Sequence, residues 1–369
     1  MGQIWPGQRL FSLRQKANEH GTCYLVVCDQ SLDHERTSLT VAQVSFGPVQ
    51  VITDLNAIPA GLFASGSVVT IGAYDGLHVG HREIIEQVTK KAQAVGQTSV
   101  LVTFSPHPAQ ILRPTEAPKL LTDRDQKLRL LESTGIDAVV VIAFDRIQAE
   151  ETPEDFVKRV LIDALHVKRL IVGEDFCFGK DRRGNVELLS QLGAQFGFVV
   201  EPTNLVAGHD DVTASSTHIR SLVLNGDIAA ANIYLGRQHE LIGTVVHGDA
   251  RGRTIGFPTA NVEVPKTMCQ PGDGVYAGWY VRPARDGQPE HVYPAAINIG
   301  RRPTFYVDAP VSLIEAHVIG ETNIDLYGEV ATLRFVARLR GEIKFSGIDE
   351  LKAQLMLDIE NAKTALAAN

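Results

Sequence analysis

Basic residues are in the minority. Thirty-five lysines and arginines against 43 aspartates and glutamates leave a formal charge of −8 over 369 residues. A general nucleic-acid binder needs a basic face, so that partner class is not expected. A nucleotide remains compatible, because a local cradle can be positive on an acidic protein. Cysteine is scarce: Cys23, Cys28, Cys177 and Cys269 show no paired metal spacing, which argues against zinc. So few cysteines suit a reducing, cytoplasmic setting. No apolar run reaches 18 residues and no charged-then-apolar leader is visible, so neither a membrane span nor a signal peptide is expected. Internal repeats, low-complexity tracts and the Walker loop are missing as well. What is present is ordinary globular composition, 44% apolar and 21% charged, at a length comfortable for two domains.

Residues 1–45 carry little pattern. Segments 24–27 and 41–44 can form strands around a loop-like stretch at 29–36, and the whole reads as an extension without assigned function. From 46 to 232 short aliphatic runs at 68–71, 99–104, 139–144, 169–172 and 198–200 alternate with amphipathic segments. Continuous runs suit strands buried on both faces of a parallel sheet. Thr122 ahead of Asp123 and Thr152 ahead of Pro153 give helix-start signals. The pattern predicts a doubly wound α/β domain, with ligands beyond the carboxyl ends of its strands. From 236 to 369 helices no longer separate the strands. Segments 242–247, 275–281, 294–299, 313–319 and 330–339 read as antiparallel strands. In the last, Leu333, Phe335, Ala337 and Leu339 alternate with Arg334, Val336, Arg338 and Arg340. A closing helix opens on a Ser346–Asp349 capping box, so an antiparallel β-barrel with a terminal helix is expected.

Several constellations carry chemistry. His78-Val79-Gly80-His81 follows Gly72-Ala73-Tyr74-Asp75-Gly76-Leu77, after a strand run and at the start of a helix. Strand, glycine-rich turn and helix start make a phosphate cradle, because orphan N–H groups and the positive helix end face an anion. Two imidazoles three residues apart reach the same phosphoryl group, an arrangement suited to attack on a nucleotide α-phosphate. Gly72, Asp75 and Gly76 join this expected nucleotide site. His107, in a proline-flanked turn, either packs or reaches across the pocket. Asp175, in Gly173-Glu174-Asp175-Phe176-Cys177-Phe178-Gly179, either caps a turn or meets the nucleotide. Ser215-Ser216-Thr217-His218-Ile219-Arg220 reads as a capping sequence or as a holder of triphosphate oxygens, with Arg220 offering a bidentate grip. In the second half, Gly248, Gly252 and Gly256 either serve plain structural turns of a barrel or let backbone N–H groups approach phosphate closely. Thr259 and Asn261 supply hard oxygen donors fit for Mg²⁺ against ATP phosphates. Glu315 lies on a strand, where an outer-face carboxylate is the plain reading.

The run 72–81 resembles the Gly-x-Phe-Asp-Gly-x-His-x-Gly-His motif of the prokaryotic bifunctional riboflavin kinase/FMN adenylyltransferase (FAD synthetase) family, with Tyr74 where Phe is usual. The 173–179 and 215–220 segments resemble further elements of that family, His218 standing where Arg is frequent. Pro258-Thr259-Ala260-Asn261 resembles the riboflavin kinase signature, and the matches continue in order to about residue 363. The resemblance implies a Rossmann-like nucleotidyltransferase domain at 46–232 and a riboflavin kinase domain at 236–369. It implies ATP-dependent conversion of riboflavin to FMN, with Glu315 as general base and Mg²⁺ at Thr259 and Asn261. It further implies adenylylation of FMN to FAD, with His78 and His81 on the α-phosphate and Arg220 on the leaving pyrophosphate. The partners are then riboflavin, FMN and ATP, with neither nucleic acid nor membrane.

Overall fold

The computed structural model describes residues 22–28, 39–45, 49–203, 214–248, 252, 255–284, 289–300, 311–321 and 324–368. Arg253 and Thr254, just ahead of the Pro258–Asn261 signature, and residues 301–305, within the stretch to 363 over which the resemblance runs, lie outside them. In the leader, β1 (Thr22–Cys28) and β2 (Leu39–Ser45) pair antiparallel as a two-stranded sheet of their own.

The aliphatic runs of the next segment form one sheet. Its members are β3 (Gln50–Ile52), β4 (Ser67–Ile71), β5 (Thr98–Ser105), β6 (Ala138–Ala143), β7 (Val167–Gly173) and β8 (Val199–Thr203). Every strand pair is parallel, in the order β3-β6-β5-β4-β7-β8. All five residues of β4 are buried, as a strand covered on both faces requires. Only β3 escapes the sequence pattern, because three residues at a sheet edge give too short a signal. Chain order reverses at β4: β5 and β6 lie on one side, β7 and β8 on the other. That makes the crevice beyond β4 and β7 the topological switch point, where such sheets bind ligands.

Helices pack against the sheet and beyond it: α1 (Val79–Val95), α2 (Pro108–Leu112), α3 (Arg124–Glu132), α4 (Arg146–Ala149), α5 (Pro153–Phe156), α6 (Val186–Phe196), α7 (Ser216–Asn225) and α8 (Ile228–Leu235). Thr152 caps α5 with proline at its first position, as expected. Asp123 caps α3, accepting from the Gln126 N–H at 2.7 Å. Thr122 is thereby free for another task, described below.

Six strands close the second half into an antiparallel barrel. They are β9 (His239–Val246), β10 (Ala260–Pro265), β11 (Gly274–Arg282), β12 (His291–Ile299), β13 (Val311–Val318) and β14 (Val330–Arg340), in the order β10-β13-β12-β11-β14-β9. The long helix α9 (Ile348–Ala367) ends the chain. Three details depart from the sequence reading, the first being β10, which is absent from the expected strands because its opening residues were read as part of the Pro258–Asn261 signature. Val336, placed by alternation among the arginines, is buried under α9 with Ala362 and Leu366, and Ala337 and Leu339 pack on that same cluster instead of with Leu333 and Phe335, because register shifts against β11 break the alternation. Ser346 engages Glu350 rather than Asp349: its N–H and its hydroxyl both reach that carboxylate, at 2.8 and 2.6 Å.

The two halves share apolar packing. Ile219, Val223, Ile228, Tyr234 and Leu235 of α7 and α8 belong to the same buried cluster as Leu241, Val262, Tyr276 and Phe335 of the barrel. Among the described residues, no helix is long and apolar enough to cross a membrane.

Candidate active sites

The first site grows from the turn after β4. Tyr74, Gly76 and Leu77 all adopt left-handed backbone angles, with φ of +50°, +84° and +39°. Such strain persists only where surroundings over-determine it, and here they do. Buried Asp75 accepts hydrogen bonds from the Leu121 and Thr122 N–H groups at 3.0 Å and pairs with Arg220 Nη2 at 2.6 Å. The freed Thr122 hydroxyl accepts from the Gly76 N–H at 3.0 Å. Ser216 donates its hydroxyl proton to the Asp75 carbonyl at 2.9 Å, while Ser215 caps α7. The starts of α1 and α7 are thus tied to one turn, and two helix N-termini converge on the same space.

His78 caps α1, its Nδ1 accepting the His81 N–H at 3.4 Å. An Nδ1 that accepts there goes with the tautomer carrying its proton on Nε2. The two imidazoles stack with centroids 3.6 Å apart, and Tyr74 lies 4.8 Å from His81. Burial lowers the His78 pKa to about 4, opposed by Asp75 and assisted by Arg237 and Arg220. Burial, His78 and Lys127 hold His81 well below the ordinary histidine range. Both rings are therefore neutral near pH 7, and His81 Nδ1 is buried without a partner.

The other predicted residues distribute around this centre. Gly72 follows β4 directly. His107 caps α2, accepting the Ala109 N–H at 3.2 Å. It also lines a cavity of about 230 Å³ together with Asp75, Thr122 and Lys127. Capping and pocket lining are both realised. Thr217 is exposed beside Ser216, and Asp175 is exposed in the turn after β7, lining neither of the two cavities described here.

The second site is a cavity of about 660 Å³ at one end of the barrel. In register, Glu315 of β13 lies between Asn261 of β10 and Asn298 of β12. All three line the cavity with Thr259 and Gly252. His317, two residues along the same strand, donates from Nδ1 to the Pro258 carbonyl at 2.7 Å and so anchors the segment carrying Thr259. A Cβ at Gly248 would run into the Asn261 amide, and one at Gly252 would meet the Phe257 carbonyl, so both positions require glycine. Gly256 takes φ +91° in the same turn. Opposite the polar wall, Leu351, Leu355 and Ile359 of α9 form an apolar one. Arg340 fastens α9 there with a bidentate pair to buried Asp358, Nε and Nη2 lying 2.9 and 2.7 Å from its oxygens.

Residues 62–218 match the family model for FAD synthetase, and residues 235–366 match that for riboflavin kinase. Curated relatives match about four fifths of the chain. The bifunctional riboflavin kinase/FMN adenylyltransferase of Haemophilus influenzae is 35% identical over 81% of this chain and 94% of its own length. The protein of that description in Escherichia coli K12 is 36% identical over 79% and 90%. The chain belongs to the bifunctional riboflavin kinase/FMN adenylyltransferase family. A solved structure from Streptococcus pneumoniae, described as a macrolide-efflux protein, superposes with a TM-score of 0.72 at 28% identity over 85% of this chain and 98% of that one.

Within this family frame, four participants escaped the sequence reading. Lys127 is buried on α3 and donates from Nζ to the Ala73 carbonyl at 2.7 Å. Arg237, His317 and Asp358 are equally unannounced. Each acts through residues far away in sequence, and a single polar residue in an amphipathic segment gives no local signal of that.

Proposed function

We propose that residues 46–232 transfer AMP from ATP to FMN, that residues 236–369 phosphorylate riboflavin, and that residues 1–45 form an extension. The chain is a bifunctional enzyme of flavin cofactor synthesis, using riboflavin, FMN and ATP and forming FMN and FAD. The observation that supports the division is that Gly252, Thr259, Asn261 and Glu315 share one cavity in the barrel, while Asp75, which holds Arg220, and His107 line another, at the ends of β5 and β6 against the barrel half.

In the barrel, Glu315 takes the proton from the 5′-hydroxyl of riboflavin as that oxygen attacks the γ-phosphorus of ATP, and ADP leaves. The apolar wall from α9 receives the flavin ring, and the polar wall receives the hydroxyl chain and phosphates. Magnesium fits the donor set. Asn261 Oδ1 is buried without a partner, and the Thr259 hydroxyl shares its cavity. Among the described residues no group of three histidine, cysteine or carboxylate side chains offers a rival metal site. Hydroxyl and amide oxygens with nucleotide phosphates are what Mg²⁺ prefers. When bound, the ion neutralises phosphate charge, while Thr259, Asn261 and the glycines at 248, 252 and 256 position the triphosphate.

At the switch point, a phosphate oxygen of FMN attacks the α-phosphorus of ATP, and the bond to the β-phosphate oxygen breaks to release pyrophosphate. His78 and His81, held neutral, donate N–H to the α-phosphate as its charge redistributes. Gly72, Gly76, Ser215, Ser216 and Thr217 line the nucleotide, with His107 and Asp175 at its margins. Asp75 sets the turn and holds Arg220. The test is a time course with riboflavin, ATP and MgCl₂, separating the flavins chromatographically. FMN should appear first and FAD follow. Absence of FAD when FMN and ATP are supplied together would remove the transferase half of the reading.

A further inference from the structure

Among the described residues, two guanidinium groups at the head of α1 have no anionic partner. Arg82, in its first turn, makes no side-chain hydrogen bond or ion pair with any described residue, and its Nε is buried unpartnered. Arg237, in the segment joining α8 to β9, reaches only main-chain oxygens, Leu77 at 3.5 Å and Leu235 at 3.4 Å. Its Nε is likewise buried without a partner. Both contacts are at the long limit for a hydrogen bond. The carboxylates facing Arg237 are Glu240 and Asp75, and both are already taken. Glu240 accepts from Arg334 at 2.8 Å and Asp75 from Arg220 at 2.6 Å. Burial and then Arg82 push the Arg237 pKa down to about 10, so the two cations repel while both stay charged. Buried His81 Nδ1 stands unpartnered at the same helix head.

Half-buried cations without counter-charge are costly, and a bound anion removes that cost. The anion must carry several charges to satisfy two guanidiniums, and their planar forks match phosphate oxygens. Arg237 also faces His78, the residue assigned to the α-phosphate. Arg220, bound to Asp75, has its charge already balanced. We propose that Arg82 and Arg237 grip the β- and γ-phosphates of ATP, so that the segment joining the two halves completes the transferase site. This rests on the adenylyl-transfer reading. As the bond between the α-phosphorus and its bridging oxygen breaks, the electron pair passes to pyrophosphate, and the two guanidiniums take up the charge that develops there.

Inorganic pyrophosphate with MgCl₂ is the probe, titrated by calorimetry into the full chain and into Arg82→Gln, Arg237→Gln and Arg237→Lys variants. Each glutamine variant should bind pyrophosphate at least about tenfold more weakly, the loss expected for one charged hydrogen-bonding group. Arg237→Lys should recover part of that loss. The KM for FMN should be unchanged, and riboflavin phosphorylation should report an intact fold. Wild-type pyrophosphate affinity in both glutamine variants would overturn the proposal. Should Arg237→Gln disturb the junction and lose both activities, Arg82→Gln decides. A wild-type chain that binds pyrophosphate through these arginines yet makes no FAD would sink the transferase reading and leave the anion site standing.

Discussion

At the residue scale, burial rather than charge sets the chemistry of the imidazoles. His78 is held at about 4, and so is His239, which burial shields and whose Nε2 donates to the Cys269 carbonyl at 2.8 Å. Both values are depressed from 6.5, so the unfolded chain binds more protons between pH 6.5 and pH 4. Stability from these groups is complete above pH 6.5 and is lost as the pH falls toward 4. By pH 4 each removes about 3 kcal/mol. Urea midpoints should therefore drop steeply between about pH 7 and about pH 5, and an unchanged midpoint would mean these rings are not buried neutral. The paired histidines and Asp75 were legible because glycine-rich turn, spacing and helix start coincide within ten residues. The partners of Asp75 were not: Leu121, Thr122 and Arg220 lie 46 to 145 positions away.

At the element scale, periodicity carried most of the fold. Parallel strands read clearly where a strand such as β4 is apolar throughout, and β3 was lost because three residues hold no period. β14 shows what alternation misses. Val336 belongs on the outer face by pattern, yet that face is interior once α9 lies over it, and nothing in β14 announces the helix. The Arg340–Asp358 pair ties the two elements and borders the riboflavin kinase cavity. Removing one partner leaves a buried guanidinium uncompensated, so Asp358→Ala should cost about 3–5 kcal/mol. It should also raise the KM for riboflavin more than that for ATP, because α9 supplies the apolar wall. An unaltered riboflavin KM would place the flavin ring elsewhere.

At the scale of the whole molecule, the two halves meet in one apolar cluster while the sheet keeps cores of its own. The cluster joining α7 and α8 to the barrel, and Arg237 beside α1, bring the second half up to the first site. Sequence order gave the succession of units but not this contact, since no local pattern encodes which surfaces meet. FMN formed by the riboflavin kinase half is the acceptor for the adenylyltransferase half, and the proposed division makes the two centres chemically independent. The direct measurement pairs His81→Ala with Glu315→Ala and follows flavins by chromatography, with riboflavin or FMN supplied. His81→Ala should accumulate FMN and form no FAD. Glu315→Ala should leave riboflavin untouched yet convert supplied FMN to FAD. If either folded variant lost both conversions, the two centres would not be independent and the account would fail.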